Sequence, residues 1–230
     1  MNAIRFDTIE MGGEQRRQFD LLCTRLIERN KVVNLTAITD PDEIREKHFA
    51  DSLAILQWAG LADCRKMIDL GTGGGFPGLP VAITCPQIDV TMLDSAGKKL
   101  AFVDDMIAEL GLANARILWA RAEDAAHDAD HREAYDLAVS RAVAPLPVLV
   151  EYALPFLRSG GAFVSYKGAA ADEIEASARA LRELGGEVET TVPYTIEGGD
   201  ERVFIVIRKT GETPQKYPRR AGKPSKSPIV

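Results

Sequence analysis

The first 60 residues carry the hydrophobic spacing of helices. Between residues 14 and 30, apolar side chains recur three and four positions apart, which predicts an amphipathic helix. Its inner face is formed by Phe19, Leu22, Cys23 and Leu26. A second helix is predicted from Pro41, because Asp40 can cap it and proline is favoured at the first helical position. Its inner side is predicted to carry Ile44, Phe49, Leu53 and Leu56.

From residue 66 the pattern changes to short apolar runs that alternate with helix-length segments. Strands are predicted at 66–71, 88–94, 115–120, 135–141 and 161–168. Helices are predicted at 77–84, 97–110, 122–127, 144–158 and 170–184. Strands that are apolar on both faces and separated by helices indicate a parallel sheet that is covered on two sides.

The end of the pattern differs from this alternation. Residues 187–196 and 201–209 are two strand-like runs joined by the glycine turn 197–200, which predicts an antiparallel hairpin. A nicotinamide-binding Rossmann domain would continue strand–helix–strand, whereas a closing hairpin is typical of class I S-adenosylmethionine-dependent methyltransferases. We therefore predict an α/β, Rossmann-like fold with a seven-stranded, mainly parallel sheet over residues 61–210, preceded by an N-terminal helical extension over residues 1–60.

Length and composition add limits to this picture. A chain of 230 residues with 46% hydrophobic content fits one α/β domain with a small appendage. No apolar run approaches the roughly 20 residues that span a membrane, and the charged N-terminus lacks the core of a signal peptide. Cys23, Cys64 and Cys85 form no CxxC pair, which favours reduced thiols and a cytoplasmic location.

Charge is distributed unevenly along the chain. The formal net charge is −6, but residues 208–230 hold seven basic residues and one acid, so this end carries +6 and the rest −12. A basic C-terminal tail, residues 211–230, suggests a polyanionic partner. A solvated, partly disordered terminus fits the same composition.

Residues 68–83, IDLGTGGGFPGLPVAI, place four glycines in five positions directly after the first predicted strand. Glycines there let the backbone approach a ligand at the carboxyl end of the strand. The spacing of Gly73, Gly75 and Gly78 also resembles a dinucleotide loop, so the loop alone is compatible with either cofactor class.

Acidic residues near the strand ends narrow the choice of ligand. Asp69 lies two residues before the first glycine, where its carboxylate can face the cationic methionine end of a cofactor. Asp94 ends the second strand, 23 residues after Gly71, and can accept both ribose hydroxyls of an adenosine group; a cap for the helix at 97–110 is the alternative. After the third strand, Glu123 or Asp124 can reach the adenine or cap a short helix.

Arg141 ends the fourth strand, at the predicted centre of the sheet. We expect it over the cofactor pocket, facing the substrate; a structural pair with Asp136 or another acid is the alternative. The sequence has no Ser–His–Asp set, no Cys–His pair and no metal-ligand cluster, and His127 and His131 fit a polar surface better than a metal site. We therefore expect no metal.

Several segments together resemble one family, the bacterial 16S ribosomal RNA guanine-N7 methyltransferases, also called glucose-inhibited division protein B. They are DLGTGGGFPGLPVAI, LDSAGKK, RAED, VSRAVAPL, YKG and NLTAITDPDEIREKHFADSL, with YPRRAGKPSKSPI resembling the longer C-terminus of many members. The resemblance implies methyl transfer from S-adenosylmethionine to N7 of guanosine 527 in the 530 loop, with 16S ribosomal RNA or the small ribosomal subunit as partner.

The resemblance and the strand-end positions together predict the site. The expected cofactor contacts are Asp69, Gly71, Gly73, Gly75, Phe76, Asp94, Ser95, Ala122, Glu123 and Arg141. Arg141 is also the expected positioning residue for catalysis. Guanine N7 has a lone pair and no proton, so its methylation needs alignment and charge screening rather than a general base. The expected RNA contacts are Lys98, Lys99, Lys167, Arg202, Arg219 and Arg220; for Lys98 and Lys99 a solvated helix face is the alternative.

Other functions remain open at this point. His48 and Asp51, in the second predicted helix, can lie near the lid of the pocket or pack between helices. A methyltransferase of the same fold acting on a small molecule or protein fits the acidic net charge. An NAD-dependent oxidoreductase fits the glycine loop, but the closing hairpin opposes it. A non-catalytic RNA-binding assembly factor is the third alternative.

Overall fold

The computed structural model describes residues 3–168, 171–198 and 201–230, so Gly199 and Asp200 of the predicted turn lie outside the described residues. The strands are β1 (Lys66–Leu70), β2 (Asp89–Asp94), β3 (Ala115–Trp119), β4 (Tyr135–Arg141), β5 (Leu157–Lys167), β6 (Gly186–Thr195) and β7 (Glu201–Lys209). They form one sheet in the order β3-β2-β1-β4-β5-β7-β6. The first five strands pair in parallel, and β7 pairs antiparallel with both β5 and β6. The predicted α/β fold is confirmed.

The order of the strands reverses between β1 and β4. From β1 the chain proceeds outward through β2 and β3, and then returns to the other side of β1 to form β4. In open α/β sheets, ligands bind beyond the carboxyl ends of the strands at such a reversal. The loops that come after β1, β2, β3 and β4 therefore meet at one edge, which is where the sequence places its candidate residues.

The helices largely match the predicted segments. They are α1 (Gly13–Asn30), α2 (Pro41–Ile44), α3 (Asp51–Leu53), α4 (Gly78–Thr84), α5 (Gly97–Leu110), α6 (Ala122–Ala125), α7 (Leu146–Ala153), α8 (Ala171–Ala176), α9 (Ala178–Leu184) and α10 (Lys223–Lys226), with 3-10 turns at Phe6–Thr8, Ala54–Gln57, Ala59–Asp63 and Leu154–Phe156. The helix predicted over 144–158 ends early, because Pro155 lies in a 3-10 turn and β5 already begins at Leu157. The helix predicted at 170–184 is interrupted at Ser177, whose hydroxyl donates to the Glu173 carbonyl at 2.7 Å.

The second predicted helix is irregular. After α2 the chain forms a π-helix over Arg45–Ala50 before α3. Phe49 and Leu53 are buried as predicted, but Leu56 is 38% exposed. A π-helix adds a residue to the turn and rotates the residues after it, so the 3.6-residue periodicity used for Leu56 no longer applies.

The N-terminal helices share a hydrophobic core with the sheet. The rings of Phe6, Phe19 and Phe49 lie with centroids 5.1–5.5 Å apart, and all three are buried. The side-chain amides of Gln15 and Gln18 donate to the carbonyls that end α4 and α5. These bonds satisfy helix C-terminal carbonyls that lack a partner within their own helix. The helical extension is thereby held against the sheet and its covering helices.

The C-terminal tail is folded onto the domain. Tyr217 and Ile229 are buried, and the guanidinium of Arg132 donates to the carbonyls of Thr213 and Tyr217 at 2.9 Å. Composition alone allows a solvated end, because the many charges of this segment do not show that Tyr217 and Ile229 pack in the core. Among the described residues, no helix is long and apolar enough to cross a membrane.

Candidate functional site

The glycine loop begins where β1 ends and takes a conformation that favours glycine. Gly71 has φ +71°, and a Cβ placed there would lie 2.6 Å from Cγ2 of Val143. The amides of Gly71 and Thr72 both donate to the carbonyl of Leu93, at 2.8 and 3.0 Å. The loop is therefore tied to the end of β2 and leaves its backbone, rather than side chains, facing the space beyond the strands.

Asp69 lies beneath this loop and is fully buried. Its Oδ2 accepts hydrogen bonds from the hydroxyl of Thr72 at 2.6 Å and the amide of Gly78 at 2.9 Å. Its Oδ1 has no hydrogen-bond partner among the described residues. Burial raises the pKa of this carboxyl to about 6, although the two hydrogen bonds oppose the change. Asp69 thus supports the loop, and its predicted contact with the methionine end of a cofactor remains a prediction.

The Asp94 carboxylate forms hydrogen bonds with the loop after β1 and with the loop after β2. One carboxylate oxygen accepts from the amide of Gly73 at 2.9 Å, and the other accepts from the amide of Ala96 at 2.8 Å. The alternative that Asp94 caps the helix at 97–110 is wrong, because Ala96 is the N-cap of α5 and no side chain caps that helix. The carboxylate lies at the edge of the space between the loops after β1 and β2.

An open cavity of about 260 Å³ occupies this space. Five of the predicted cofactor residues line it: Gly71, Asp94, Ser95, Ala122 and Glu123. Three lining residues that the sequence pattern does not mark belong to distant segments: Tyr152 in α7, and Gly222 and Ser225 near the C-terminus. Gly222 and Ser225 lie in the YPRRAGKPSKSPI stretch, which the sequence pattern does not connect with the cofactor; they reach the cavity because the C-terminal segment packs on α7, the helix that carries Tyr152.

The remaining predicted cofactor residues do not line this cavity. They are Asp69, Gly73, Gly75, Phe76 and Arg141. The Phe76 ring is buried and stacks on His48, with centroids 4.9 Å apart and planes 16° apart. The Arg141 guanidinium carbon lies 5.4 Å from the centroid of the same ring. Phe76 therefore supports His48 and Arg141 from within the core.

Arg141 and Ala142 line a second cavity, of about 370 Å³, and the next residue of the same loop, Val143, lines the first. Arg141 Nη1 lies 2.8 Å from Oδ2 of Asp51, and the Tyr194 hydroxyl donates to Oδ1 of Asp51, also at 2.8 Å. The alternative of a pair with Asp136 or another acid is therefore confirmed for another acid, Asp51; Asp136 itself pairs with Arg158 at the opposite end of β4. The sequence points to Asp51 but leaves its partner open.

Cationic side chains surround this second cavity. Lys47, Arg141, Lys167 and Arg202 line it together with Asp51, the only carboxylate in the lining within the described part of the chain. Lys167 Nζ also pairs with Glu173 at 2.7 Å, and Arg202 Nε lies 3.9 Å from Asp51. Lys47 Nζ pairs with Glu43 at 2.6 Å, so these carboxylates offset part of the positive charge, and the excess that is left gives a positive potential where a polyanion can approach.

Burial perturbs the titrating groups in this cavity. Burial, followed by the charge of Arg141, lowers the pKa of His48 to about 4, so its ring is neutral at pH 7. The Nε2 of that ring is 2.6 Å from the hydroxyl of Thr36. Burial also raises the pKa values of Tyr166 and Tyr194 above their usual range. Both phenols are therefore hydrogen-bonding groups rather than charged ones at neutral pH.

The other predicted RNA contacts lie in different settings. Lys98 is exposed and Lys99 half-buried at the start of α5, and Arg220 is exposed. Arg219 instead pairs with the fully buried Glu151, 2.6 Å from Nη2 to Oε2.

No group of three potential metal ligands occurs among the described residues. The arrangement therefore has the parts for binding and alignment: a glycine-edged cavity beside a cationic one.

The chain is similar to proteins named for ribosomal RNA methylation. Residues 15–202 match the family described as GidB, rRNA small subunit methyltransferase G. The ribosomal RNA small subunit methyltransferase G of Desulfitobacterium hafniense is 45% identical over 224 residues, which cover 96% of this chain and 92% of that protein. The protein of the same name from Pelotomaculum thermopropionicum is 48% identical, covering 96% and 95%. That from Lactococcus lactis is 40% identical, covering 100% and 97%.

Solved structures with much lower identity share the fold. The O-methyltransferase TomG from Streptomyces achromogenes, solved in complex with SAM, has a TM-score of 0.57 and 17% identity, covering 89% of this chain and 92% of its own. A SAM-dependent O-methyltransferase from Thermotoga maritima has a TM-score of 0.50 and 16% identity, covering 81% and 72%. At such identities the likeness concerns the fold.

Proposed function

Because this chain belongs to the rRNA small subunit methyltransferase G family, we propose that it transfers the methyl group of S-adenosylmethionine to N7 of a guanine in 16S ribosomal RNA. The family supports ribosomal RNA methylation as the activity. The choice of N7, and of the 530 loop as its location, rests on the sequence resemblance. We further propose that the enzyme acts in the cytoplasm, on RNA within or bound for the small ribosomal subunit.

The first cavity has the properties required to hold the cofactor. A Cβ at Gly71 would stand 2.6 Å from Val143, so the loop keeps its backbone open where the nucleoside would lie. Asp94 lines the cavity and offers carboxylate oxygens at the place where a ribose contacts the end of the second strand. Glu123 and Ala122 form the wall that would face the adenine. When bound, S-adenosylmethionine supplies a methyl group on a positively charged sulfur that is ready to leave.

The second cavity would receive the target base. It adjoins the first across residues 141–143, and Arg141 stands at this boundary. This adjacency is the observation that carries the proposal, because methyl transfer requires the donor and the acceptor to lie side by side. An RNA base that enters it must be turned out of its stack, and the cations around the cavity would hold the flanking phosphates.

The residues around Arg141 fit a reaction that needs no proton removal. Guanine N7 attacks with its lone pair, and the purine gains a positive charge as the methyl arrives. His48 is half-buried and neutral, so it adds no positive charge near the base. Asp51 is held by Arg141 and Tyr194, and its carboxylate would offset the charge that develops on the purine. Arg141 would position the base, held in turn by Asp51 and Phe76.

Labelled methyl transfer tests the proposal. The protein is incubated with tritiated S-adenosylmethionine and small ribosomal subunits from a strain that lacks this family's enzyme. Reduction and aniline cleavage, which break the RNA at N7-methylguanine, then map the product. A single cleavage site in the 530 loop is expected. Tritium in the RNA without cleavage at an N7-methylguanine would show that another atom is methylated. Absence of tritium from the RNA would favour a small-molecule or protein substrate.

A further inference from the structure

The C-terminal segment, residues 213–229, forms one wall of the first cavity. Gly222 and Ser225 line it together with Gly71 and Asp94. The hydroxyl of Ser225 is 2.8 Å from that of Tyr152, which also lines the cavity. Gly222 and Ser225 lie about 70 to 150 positions after the other residues of the lining. They reach the cavity because the segment folds back over α7.

A buried ion pair holds the segment in this position. The Glu151 side chain is 0% exposed, and Arg219 binds it with its backbone amide, Nε and Nη2 at 2.6–3.1 Å. The same Nη2 donates to the carbonyl of Ser227 at 2.9 Å. Arg219 thus links α7 to both ends of the stretch that contains Gly222 and Ser225. Losing Arg219 alone would leave the Glu151 carboxylate buried without its partner, which is costly, so the position of the segment and the burial of Glu151 are coupled.

A second contact reaches the wall expected to face the adenine. The amide of Gly222 donates to Oε1 of Glu123 at 2.7 Å, and Glu123 is 5% exposed. The carboxylate that the sequence assigns to the adenine is therefore oriented by the C-terminal segment. Arg219, assigned by the sequence to RNA, is committed to Glu151. Both observations connect this segment with the cofactor cavity.

We propose that the C-terminal segment is part of the cofactor site, with Gly222 and Ser225 contacting the adenosine half of S-adenosylmethionine. This rests on the proposed function, since it takes the first cavity as the place where the cofactor binds. The segment closes a side of the cavity that would otherwise open to water between α6 and α7. It acts on cofactor affinity through contact and through the position of Glu123.

Two leucine substitutions one residue apart test the contact. Ser225→Leu places an apolar side chain in the cavity wall, whereas Lys226→Leu adds the same side chain at an exposed position outside the lining. Calorimetry with S-adenosylmethionine and S-adenosylhomocysteine should show binding about tenfold or more weaker for Ser225→Leu. The affinity of Lys226→Leu should equal that of the unmodified protein.

A third variant tests the anchor and guards against misfolding. The double substitution Glu151→Gln with Arg219→Gln removes both charges, so no uncompensated carboxylate is buried. We expect unchanged circular dichroism and weaker binding of both ligands. Equal affinities for Ser225→Leu and Lys226→Leu would overturn the inference and leave the proposed function standing. Failure of the unmodified protein to bind S-adenosylmethionine would instead overturn the proposed function.

Discussion

Arg141 and Asp51 are 90 positions apart in the chain and form an ion pair with 2.8 Å between Nη1 and Oδ2. Their side chains are only 14% and 7% exposed. The pair joins the end of β4 to the N-terminal helical region, so the extension and the sheet together build the second cavity. The hydroxyl of Tyr194, in strand β6 of the closing hairpin, donates a hydrogen bond to the same Asp51 carboxylate.

Neutralising this carboxylate should weaken both the fold and catalysis. Asp51→Asn leaves the Arg141 guanidinium without its counter-charge, and removing one member of a buried pair costs about 3 kcal/mol. We expect that loss in urea unfolding, together with slower methyl transfer at unchanged affinity for S-adenosylmethionine. The control is Asp42→Asn, whose pair with Arg45 is exposed and should contribute less than about 0.5 kcal/mol. Equal losses for the two variants would contradict the role of the pair.

Removing the Asp94 carboxylate should weaken cofactor binding. Asp94→Ala deletes the proposed ribose acceptor and leaves the amides of Gly73 and Ala96 without their partner. The cost is about 1–3 kcal/mol in the free energy of cofactor binding, measured by calorimetry. Asp89→Ala, at the exposed opposite end of β2, is the matched control and should bind normally. Unchanged affinity in Asp94→Ala would exclude the ribose contact.

A methyl group in the glycine loop should cost more than backbone strain alone. Gly71 and Gly111 both have positive φ, +71° and +64°, so alanine at either costs about 1–2 kcal/mol for the left-handed conformation. Only at Gly71 would the new Cβ also meet Val143, at 2.6 Å; around Gly111 nothing lies within 4 Å. Urea unfolding should show the larger loss for Gly71→Ala, and calorimetry should show weaker cofactor binding in that variant alone. Matching losses would mean that Val143 moves aside.

The buried carboxyl of Asp69 should leave a signature in the pH dependence of stability. Its pKa is raised from 3.8 to about 6, so in this window the folded protein holds a proton that the unfolded chain has released. The free energy of unfolding therefore falls as the pH rises from about 4 to about 6, by about 3 kcal/mol. Asp69→Asn keeps an oxygen for Thr72 and Gly78 but does not titrate. Its stability relative to the unmodified protein should rise across this window, and a constant difference would contradict the raised pKa.

Salt dependence should separate RNA-binding cations from ordinary surface charges. Arg202 lines the second cavity, whereas Arg182 is exposed on α9 away from both cavities. Each phosphate contact contributes about 0.7–0.9 to the slope of log affinity against log salt. Arg202→Gln should flatten that slope by about this amount in filter binding to 16S ribosomal RNA, and Arg182→Gln should leave it unchanged. The same slope in both variants would place the RNA elsewhere.

Sequence by itself determined the elements and one half of the site. Alternation of apolar runs with helical segments is a local property, so it located all seven strands and the closing hairpin. The glycine loop and Asp94 were also predictable, because they come directly after strands, and strand ends meet at one edge of a parallel sheet. The π-helix at Arg45–Ala50 was not predicted, because helical periodicity cannot reveal an extra residue within a turn.

Tertiary structure alone decided which charges meet. Sequence left the partner of Arg141 open, and only the packing of the N-terminal helices brings Asp51 to it. Composition allowed a solvated basic tail, but Tyr217 and Ile229 are buried against the domain. Their burial places Arg219 beside Glu151. The physical reason is the same in both cases. A buried charge needs a partner within a few ångströms, and three-dimensional packing, rather than the order of residues, determines which one it finds.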